Sequence, residues 1–316
     1  MGNKHPAIGI AILAGLVVLL ALRYAGSKRL RPFPWSGWAG AGIILAAEAL
    51  LGLRVRWVTI YFTPLVWTGY LVLADSLVFS LKGSSLVRRD AGGFFALAAW
   101  SVPLWLIFEG YNLRLNNWAY AGMPPSLLAQ ATGCIWSFAT IWPAIFETAE
   151  LVDALGFFRS RHKPRGPVSR GVKIALVIAG ALCLIVPPAL PPRTGSYLFG
   201  IVWIGFALLL EPINDALGGR SLLREWEHGD ATTLKSLLLA GLICGFLWEF
   251  WNYWAAARWV YIFPILQRWK IFEMPAPGFL GFLPFAVECF AMYEFLLVVR
   301  ARIAQRTEAP ASARSG

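Results

Sequence analysis

Three pairs of carboxylates sit where an apolar chain would normally avoid them. Glu109 and Glu249 each close a strongly apolar stretch, and each is followed three residues later by an asparagine, Asn112 and Asn252. Shortly after comes Trp-x-Tyr, as Trp118-Ala-Tyr120 and Trp259-Val-Tyr261. Glu147 and Glu288 stand four residues after Pro143 and Pro284, and Asp75 and Glu211 form the third pair. An ionisable side chain inside a bilayer costs about 2.5–3.5 kcal/mol even on insertion scales, so such groups normally face a bundle interior or a cavity. Residues three apart share a helix face, so each asparagine can orient its glutamate or bond its anion. Acids gathered in a dry cavity are equipment for general acid–base catalysis. The expected donors and bases are Glu109, Glu147, Glu249 and Glu288. Asn112 and Asn252 are expected to orient them, with Trp118, Tyr120, Trp259 and Tyr261 shaping the cavity mouth and Asp75 and Glu211 as secondary acids. The bland alternatives are interfacial glutamates, Glu–Asn pairs gluing helices together, and Asp75 and Glu211 pairing with Arg88 and Arg224.

The elements that must carry these groups are membrane helices. Of 316 residues, 58% are hydrophobic and 14% charged, against roughly 25% charged in soluble domains. Stretches of about 20 apolar residues mark spans, and nine are expected: 7–23, 35–53, 57–81, 94–113, 126–152, 172–190, 196–217, 233–256 and 278–299. The first is read as a retained anchor because Lys28, Arg29 and Arg31 follow it rather than a small-residue cleavage site. The net charge of +11 resides in loops. Lys82, Arg88, Arg89, the run from Arg159 to Arg170, Arg220, Arg224, Arg300, Arg302 and Arg306 follow alternate segments, which sets a cytoplasmic C-terminus and an outer N-terminus. That pattern fits a multi-pass protein of a bacterial-type inner membrane and gives no nucleic-acid signal. Trp118, Tyr120, Trp254, Trp259, Tyr261 and Trp269 are expected to form an aromatic belt on the outer side. Three histidines, four single cysteines and no nucleotide or zinc motif leave no metal site or cofactor to expect.

The chain repeats itself. Trp67-Thr-Gly69-Tyr70, Asp75 and Gly83-x-Ser85-Leu86-x-Arg88 return 136 residues later as Trp203-Ile-Gly205-Phe206, Glu211 and Gly219-x-Ser221-Leu222-x-Arg224. Glu–x–x–Asn returns after 140 residues, and both Trp-x-Tyr and Pro-x-x-x-Glu return after 141. The slip falls in Arg224–Asp230, a loop. The expected architecture is therefore an all-α membrane protein with tandem parallel four-helix repeats. An N-terminal anchor and basic loop (1–34) precede the first repeat (35–155). A basic linker (156–171), the second repeat (172–303) and a disordered tail (304–316) follow. The segment Met274–Pro284 is expected to be poorly helical, a form the bilayer tolerates only where it is buried in protein or lines a cavity.

In order and spacing, Glu109, Trp118-Ala-Tyr120 and Pro143-x-x-x-Glu147, with their counterparts Glu249, Trp259-Val-Tyr261 and Pro284-x-x-x-Glu288, resemble the membrane-embedded lycopene cyclase domain, in its heterodimeric and fused forms. The similarity covers about eighty residues in each half. The family's Pro-x-Glu-Glu is absent, since each half has one glutamate at proline plus four. The resemblance implies cofactor-free protonation of a carbon–carbon double bond in a long isoprenoid, cyclisation of the cation, and loss of a proton to a base. The expected partner is a membrane lipid or isoprenoid, with a homo-oligomer or other carotenoid-pathway membrane enzymes left open. A proton-coupled transporter is the rival reading, because parallel repeats, broken helices and intramembrane carboxylates serve transport as well.

Overall fold

The computed structural model describes residues 3–158 and 163–308. Its helices are α1 Pro6–Gly26, α2 Trp35–Gly52, α3 Arg56–Lys82, α4 Leu86–Arg89, α5 Ala91–Leu115, α6 Leu127–Ala139, α7 Ile141–Ala154, α8 Arg170–Ala189, α9 Pro192–Gly195, α10 Phe199–Ala216, α11 Leu222–Glu227, α12 Thr232–Trp254 and α13 Phe282–Glu308. Short strands are β1 Asn3–Lys4, β2 Trp118–Ala121, β3 Arg258–Tyr261, β4 Trp269–Ile271 and β5 Met274–Pro275. The chain is thus mostly helical. Among the described residues, eight helices are long and apolar enough to cross a membrane.

The fifth expected span, 126–152, is not one helix. It breaks at Thr140 into α6 and α7, of 13 and 14 residues. At 1.5 Å per residue each is about 20 Å long, short of a hydrocarbon core of about 30 Å. The Thr140 hydroxyl bonds back to the Ser137 carbonyl. Pro143, at the third position of α7, has no N–H to return to Thr140's own turn, so the break falls where the ladder is weakest. Pro284 holds the same third position in α13. Before it, Met274–Pro284 runs as a two-residue strand and a 3₁₀ turn over Ala276–Gly281, so this stretch is indeed not α-helical until Phe282. The last helix continues to Glu308, so residues 304–308 of the expected tail are helical; the rest of the tail and linker residues 159–162 lie outside the described residues.

Close approach of backbones sets two of the helix pairs. A Cβ on Gly40 of α2 would stand 2.7 Å from the carbonyl of Gly69 and from the amide of Leu73 on α3. A Cβ on Gly180 of α8 would stand 2.4 Å from the amide of Leu209 and 2.7 Å from the carbonyl of Gly205 on α10. Small residues are the usual means of bringing membrane helices together, because lipid supplies no hydrophobic drive between them. Gly180→Val is therefore expected to destabilise the protein by about 1–3 kcal/mol through overpacking. A detergent-unfolding titration that matches wild type would refute this crossing as a tight contact.

Aromatic contacts join the two halves of the chain. Trp67 of α3 meets Trp248 of α12 at 5.2 Å, and Phe108 of α5 stacks on Trp203 of α10 at 5.1 Å and 9°. Helix α1 is tied in at its N-terminal end. Lys4 bonds Glu273 at 2.6 Å, β1 pairs with β4, and Gly9 packs against the Phe272 ring.

At the opposite end the expected basic loops are held by carboxylates. Lys82 lies 3.2 Å from Asp153, Arg89 3.4 Å from Glu150, and Arg220 3.7 Å from Glu294. Residues 224–227 of the slip region are helical, the end of α11, while 228–230 leave the helix through a turn; Glu227 accepts from the Val168 amide at 2.8 Å and lies 3.0 Å from Lys173. The Val168 N–H and then the Lys173 ammonium hold the Glu227 carboxyl below its usual range. A depressed carboxyl pKa adds stability above the unfolded value of about 4.3 and loses it as pH falls through the folded value. The hydrogen-exchange protection of the Val168 amide, corrected for intrinsic rate, is accordingly expected to persist at neutral pH and to collapse below about pH 4. Protection that is flat across this window would refute the link.

Candidate functional site: an aromatic cavity under a two-stranded ribbon

The Trp-x-Tyr motifs form the strands β2 and β3. Alternation puts Trp118 and Tyr120 on one face of β2, and Trp259 and Tyr261 on one face of β3. The strands pair antiparallel with Trp118 opposite Tyr261 and Tyr120 opposite Trp259. All four rings therefore face the same way, and all four line a cavity of about 560 Å³. Trp118 is only 6% exposed, whereas Tyr120, Trp254 and Trp269 remain open at the surface.

Asparagines fix the ribbon. The Asn112 amide donates to the Trp118 carbonyl at 2.9 Å, and its Oδ1 accepts from the amides of Asn117 and Trp118. Asn252 repeats the device: Nδ2 donates to the Trp259 carbonyl and Oδ1 accepts from the Trp259 amide, both at 2.9 Å. A carboxamide carries the donor and acceptor of a peptide group, so each asparagine pairs with a tryptophan backbone as a neighbouring strand would. Neither asparagine touches its glutamate through a hydrogen bond among those observed. Both asparagines instead hold the backbone of the ribbon.

Each glutamate of the Glu–x–x–Asn motif is bonded to a tyrosine of the ribbon. Tyr120 Oη donates to Glu109 Oε1 at 2.5 Å, and Trp105 Nε1 donates to the same oxygen at 2.9 Å. Tyr261 Oη donates to Glu249 Oε1 at 2.8 Å, and Trp259 Nε1 lies 3.3 Å from that oxygen. Burial raises the Tyr261 phenol well above its ordinary value, and the neighbouring Glu249 adds to this. Tyr120 is raised by desolvation and then by Glu109. Both phenols therefore keep their protons at neutral pH. The glutamates themselves do not line the cavity; they stand one layer behind it.

The cavity wall holds six tryptophans, Trp67, Trp105, Trp118, Trp203, Trp248 and Trp259. Sequence reasoning placed only Trp118 and Trp259 at a site. The others had a signal, since Trp67 and Trp203 are repeat partners and Trp248 directly precedes Glu249. Part of the remaining wall comes from α6, whose Gln130, Gly133, Cys134, Ser137 and Phe138 face inward while Leu127, Leu128 and Ile135 face out. Pro64 in α3 removes a helical N–H, and Tyr61 one turn earlier departs from helical angles. Ile60, Thr63 and Trp67 follow this bend along the cavity.

Four expected site residues lie elsewhere. Glu147 and Glu288 are fully buried and absent from the lining. Glu288 Oε1 accepts from the Phe206 amide at 2.8 Å, while both Glu147 oxygens lack a hydrogen-bond partner. Asp75 accepts from the Val87 amide at 3.1 Å and lies 3.8 Å from Arg88. Glu211 accepts from Ser221 Oγ and from the Leu222 amide, so it caps α11. Arg224 turns instead to Asp215, at 2.7 Å. Ile141 and Phe285 line the cavity, and Trp142, Ala144, Ile145, Ala286 and Cys289 beside them in the chain are wholly buried. Among the described residues, no group of three or more His, Cys, Asp or Glu side chains is arranged to hold a metal ion. Compared with known proteins, the chain matches no protein-family model, no curated protein and no solved structure.

Proposed function

We propose that the protein is an integral membrane enzyme that cyclises or isomerises an isoprenoid or carotenoid-like lipid by acid–base catalysis. The observation that carries this reading is the tryptophan-walled cavity with one tyrosine–glutamate pair on each strand of its ribbon. Apolar walls suit a hydrocarbon chain, and tryptophan faces attract a cation by about 0.5–2 kcal/mol each. In one pair, the protonated glutamate passes its proton to the tyrosine oxygen as the phenolic proton goes to an alkene carbon. The π electrons of a second double bond close onto the cationic carbon. The other pair, with its glutamate ionised, takes a C–H proton through its tyrosine and restores a double bond. No atom is gained or lost, so the product is an isomer of unchanged mass. Glu147 and Glu288 carry no step in this scheme.

The same reading takes the fold as parallel repeats, 35–155 and 172–303. The duplicated asparagine bracket, the duplicated Tyr–Glu bond and the two glycine crossings support it. So do the contacts Trp67–Trp248 and Phe108–Trp203, which exchange under the repeat. The resemblance to lycopene cyclase domains and an inner-membrane orientation with the N-terminus outside belong to this reading too. Expression in lycopene-accumulating cells, with pigments separated by chromatography and mass detection, tests the function. A new isomer of unchanged mass is expected, and an unchanged pigment profile despite good membrane expression would overturn lycopene as the substrate.

A further inference from the structure

The two tyrosine–glutamate pairs are built alike but surrounded differently. Glu109 is half-buried. Its Oε1 accepts two hydrogen bonds, from Tyr120 Oη and from Trp105 Nε1 one helical turn earlier. Donors aimed at a carboxylate favour its ionised form. Glu249 is wholly buried, and its Oε2 has no hydrogen-bond partner. One turn before it stands Gly245, where the first half has Trp105, and a Cβ there would lie 2.3 Å from the Phe282 ring. An apolar ring thus packs where an indole donor would begin. The indole of this pair comes from Trp259 and lies nearer the phenol than the acid. Its Nε1 donates to Tyr261 Oη at 2.9 Å and stands 3.3 Å from Glu249 Oε1. Two opposite charges, Lys270 and Glu273, flank Glu249 and offset each other. Lys270 Nζ donates to the Tyr261 carbonyl at 3.2 Å, and Glu273 is bonded to Lys4 at 2.6 Å. Tyr120 and Cys134 face Glu109. A buried anion with an unpaired oxygen and no cation of its own is far costlier than the neutral acid.

Resting on the acid–base reading of this cavity, we infer that the pairs have fixed and different roles: Tyr261 with Glu249 gives the proton, Tyr120 with Glu109 takes it, and Trp259 steadies the oxygen of the donor tyrosine. With its proton on Oε1, Glu249 donates to Tyr261 Oη and frees the phenolic hydrogen for the cavity. The π electrons of the substrate form the new C–H bond with that hydrogen. The O–H electron pair stays on the Tyr261 oxygen, which takes the Glu249 proton and leaves a carboxylate. Trp259 Nε1–H faces that oxygen as negative charge develops on it, the placement of an oxyanion donor. In the second step the Tyr120 oxygen takes a C–H proton while its phenolic proton passes to the Glu109 carboxylate. The C–H electrons become the new double bond. Glu249 is then ionised and Glu109 protonated, so a proton returns between turnovers. Tyr120 and Tyr261 stand diagonally on one face of the ribbon, at strand positions about 7–8 Å apart, and the return runs between them through the emptied cavity.

The protonation states are read without substrate, by infrared spectroscopy of the full chain in lipid nanodiscs at neutral pH. Wild type minus Glu249→Gln is expected to contain the carbonyl stretch of a protonated carboxyl, which shifts after exchange into D2O. Wild type minus Glu109→Gln is expected to contain carboxylate stretches and no such band. Glu147 and Glu288 are present in every sample and cancel. Two further variants keep both glutamates in place: Tyr261→Phe is expected to move the protonated-carboxyl band, and Tyr120→Phe to leave it. In lycopene-accumulating cells Trp259→Phe is expected to lower isomer formation by about 10²-fold, as loss of one oxyanion donor does. Full isomer formation in that variant would remove Trp259 from the donor. A protonated-carboxyl band that is lost in Glu109→Gln, or in neither glutamine variant, overturns the assignment of roles whatever the pigments show. Infrared bands as expected beside an unchanged wild-type pigment profile would instead bring down lycopene as the substrate and leave the proton on Glu249.

Discussion

Phenylalanine at both Tyr120 and Tyr261 is expected to lower product formation by about 10²–10⁴-fold, the usual contribution of a positioned general acid or base. The two hydroxyls are the cavity's contact with Glu109 and Glu249, which stand behind them. Removing the oxygens keeps the rings, their packing and the apolar walls, so the protein should reach the membrane at wild-type levels and bind its lipid. Each single variant should lose less in lipid binding than in turnover. Glu109→Gln and Glu249→Gln are expected to follow the tyrosines. The double variant Glu147→Gln/Glu288→Gln is expected to retain turnover, because neither side chain lines the cavity. The measurement is isomer formed per unit of membrane protein. If the tyrosine double variant keeps full activity while the Glu147/Glu288 variant loses it, the proton chemistry lies in the core below the cavity and the ribbon is only a wall.

Asn252→Leu is expected to cost about 10²-fold in turnover by displacing the catalytic groups on the order of 1 Å. It should also destabilise the ribbon end of the molecule by about 1–3 kcal/mol for each backbone group left unpaired. Leucine has similar bulk but neither donates to the Trp259 carbonyl nor accepts from its amide. With that bracket gone, β3 loses its register beside α12, and Tyr261 leaves Glu249. Asn252→Asp keeps the acceptor and loses the donor, so an intermediate loss is expected. Hydrogen exchange at the Trp259 amide reads the bracket directly, and turnover reads its consequence. Loss of protection at that amide with unchanged turnover would separate the ribbon from the chemistry.

Much of this arrangement was legible in the residues alone. Apolar stretches of span length dictated membrane helices, because a backbone in hydrocarbon must satisfy its own hydrogen bonds. Glu109–x–x–Asn112 and Glu249–x–x–Asn252 had to share a helix face, because helical geometry leaves no alternative. What the sequence could not decide was distance between elements. Trp-x-Tyr has the same residues whether it anchors at a bilayer surface or alternates along a strand. Only the pairing of β2 with β3, joining positions about 140 residues apart, turned four rings onto one cavity. Glu147 and Glu109 look alike as acids in apolar sequence, yet one packs into the core and the other stands behind a tyrosine of the wall. The break at Thr140 was likewise hidden, because hydropathy averages across a kink while hydrogen bonding does not. Local spacing fixes which residues share a face of one helix. Which faces meet, and so which acids can reach a common cavity, depends on packing between helices far apart in the chain, where shape and close backbone contact outweigh local preference.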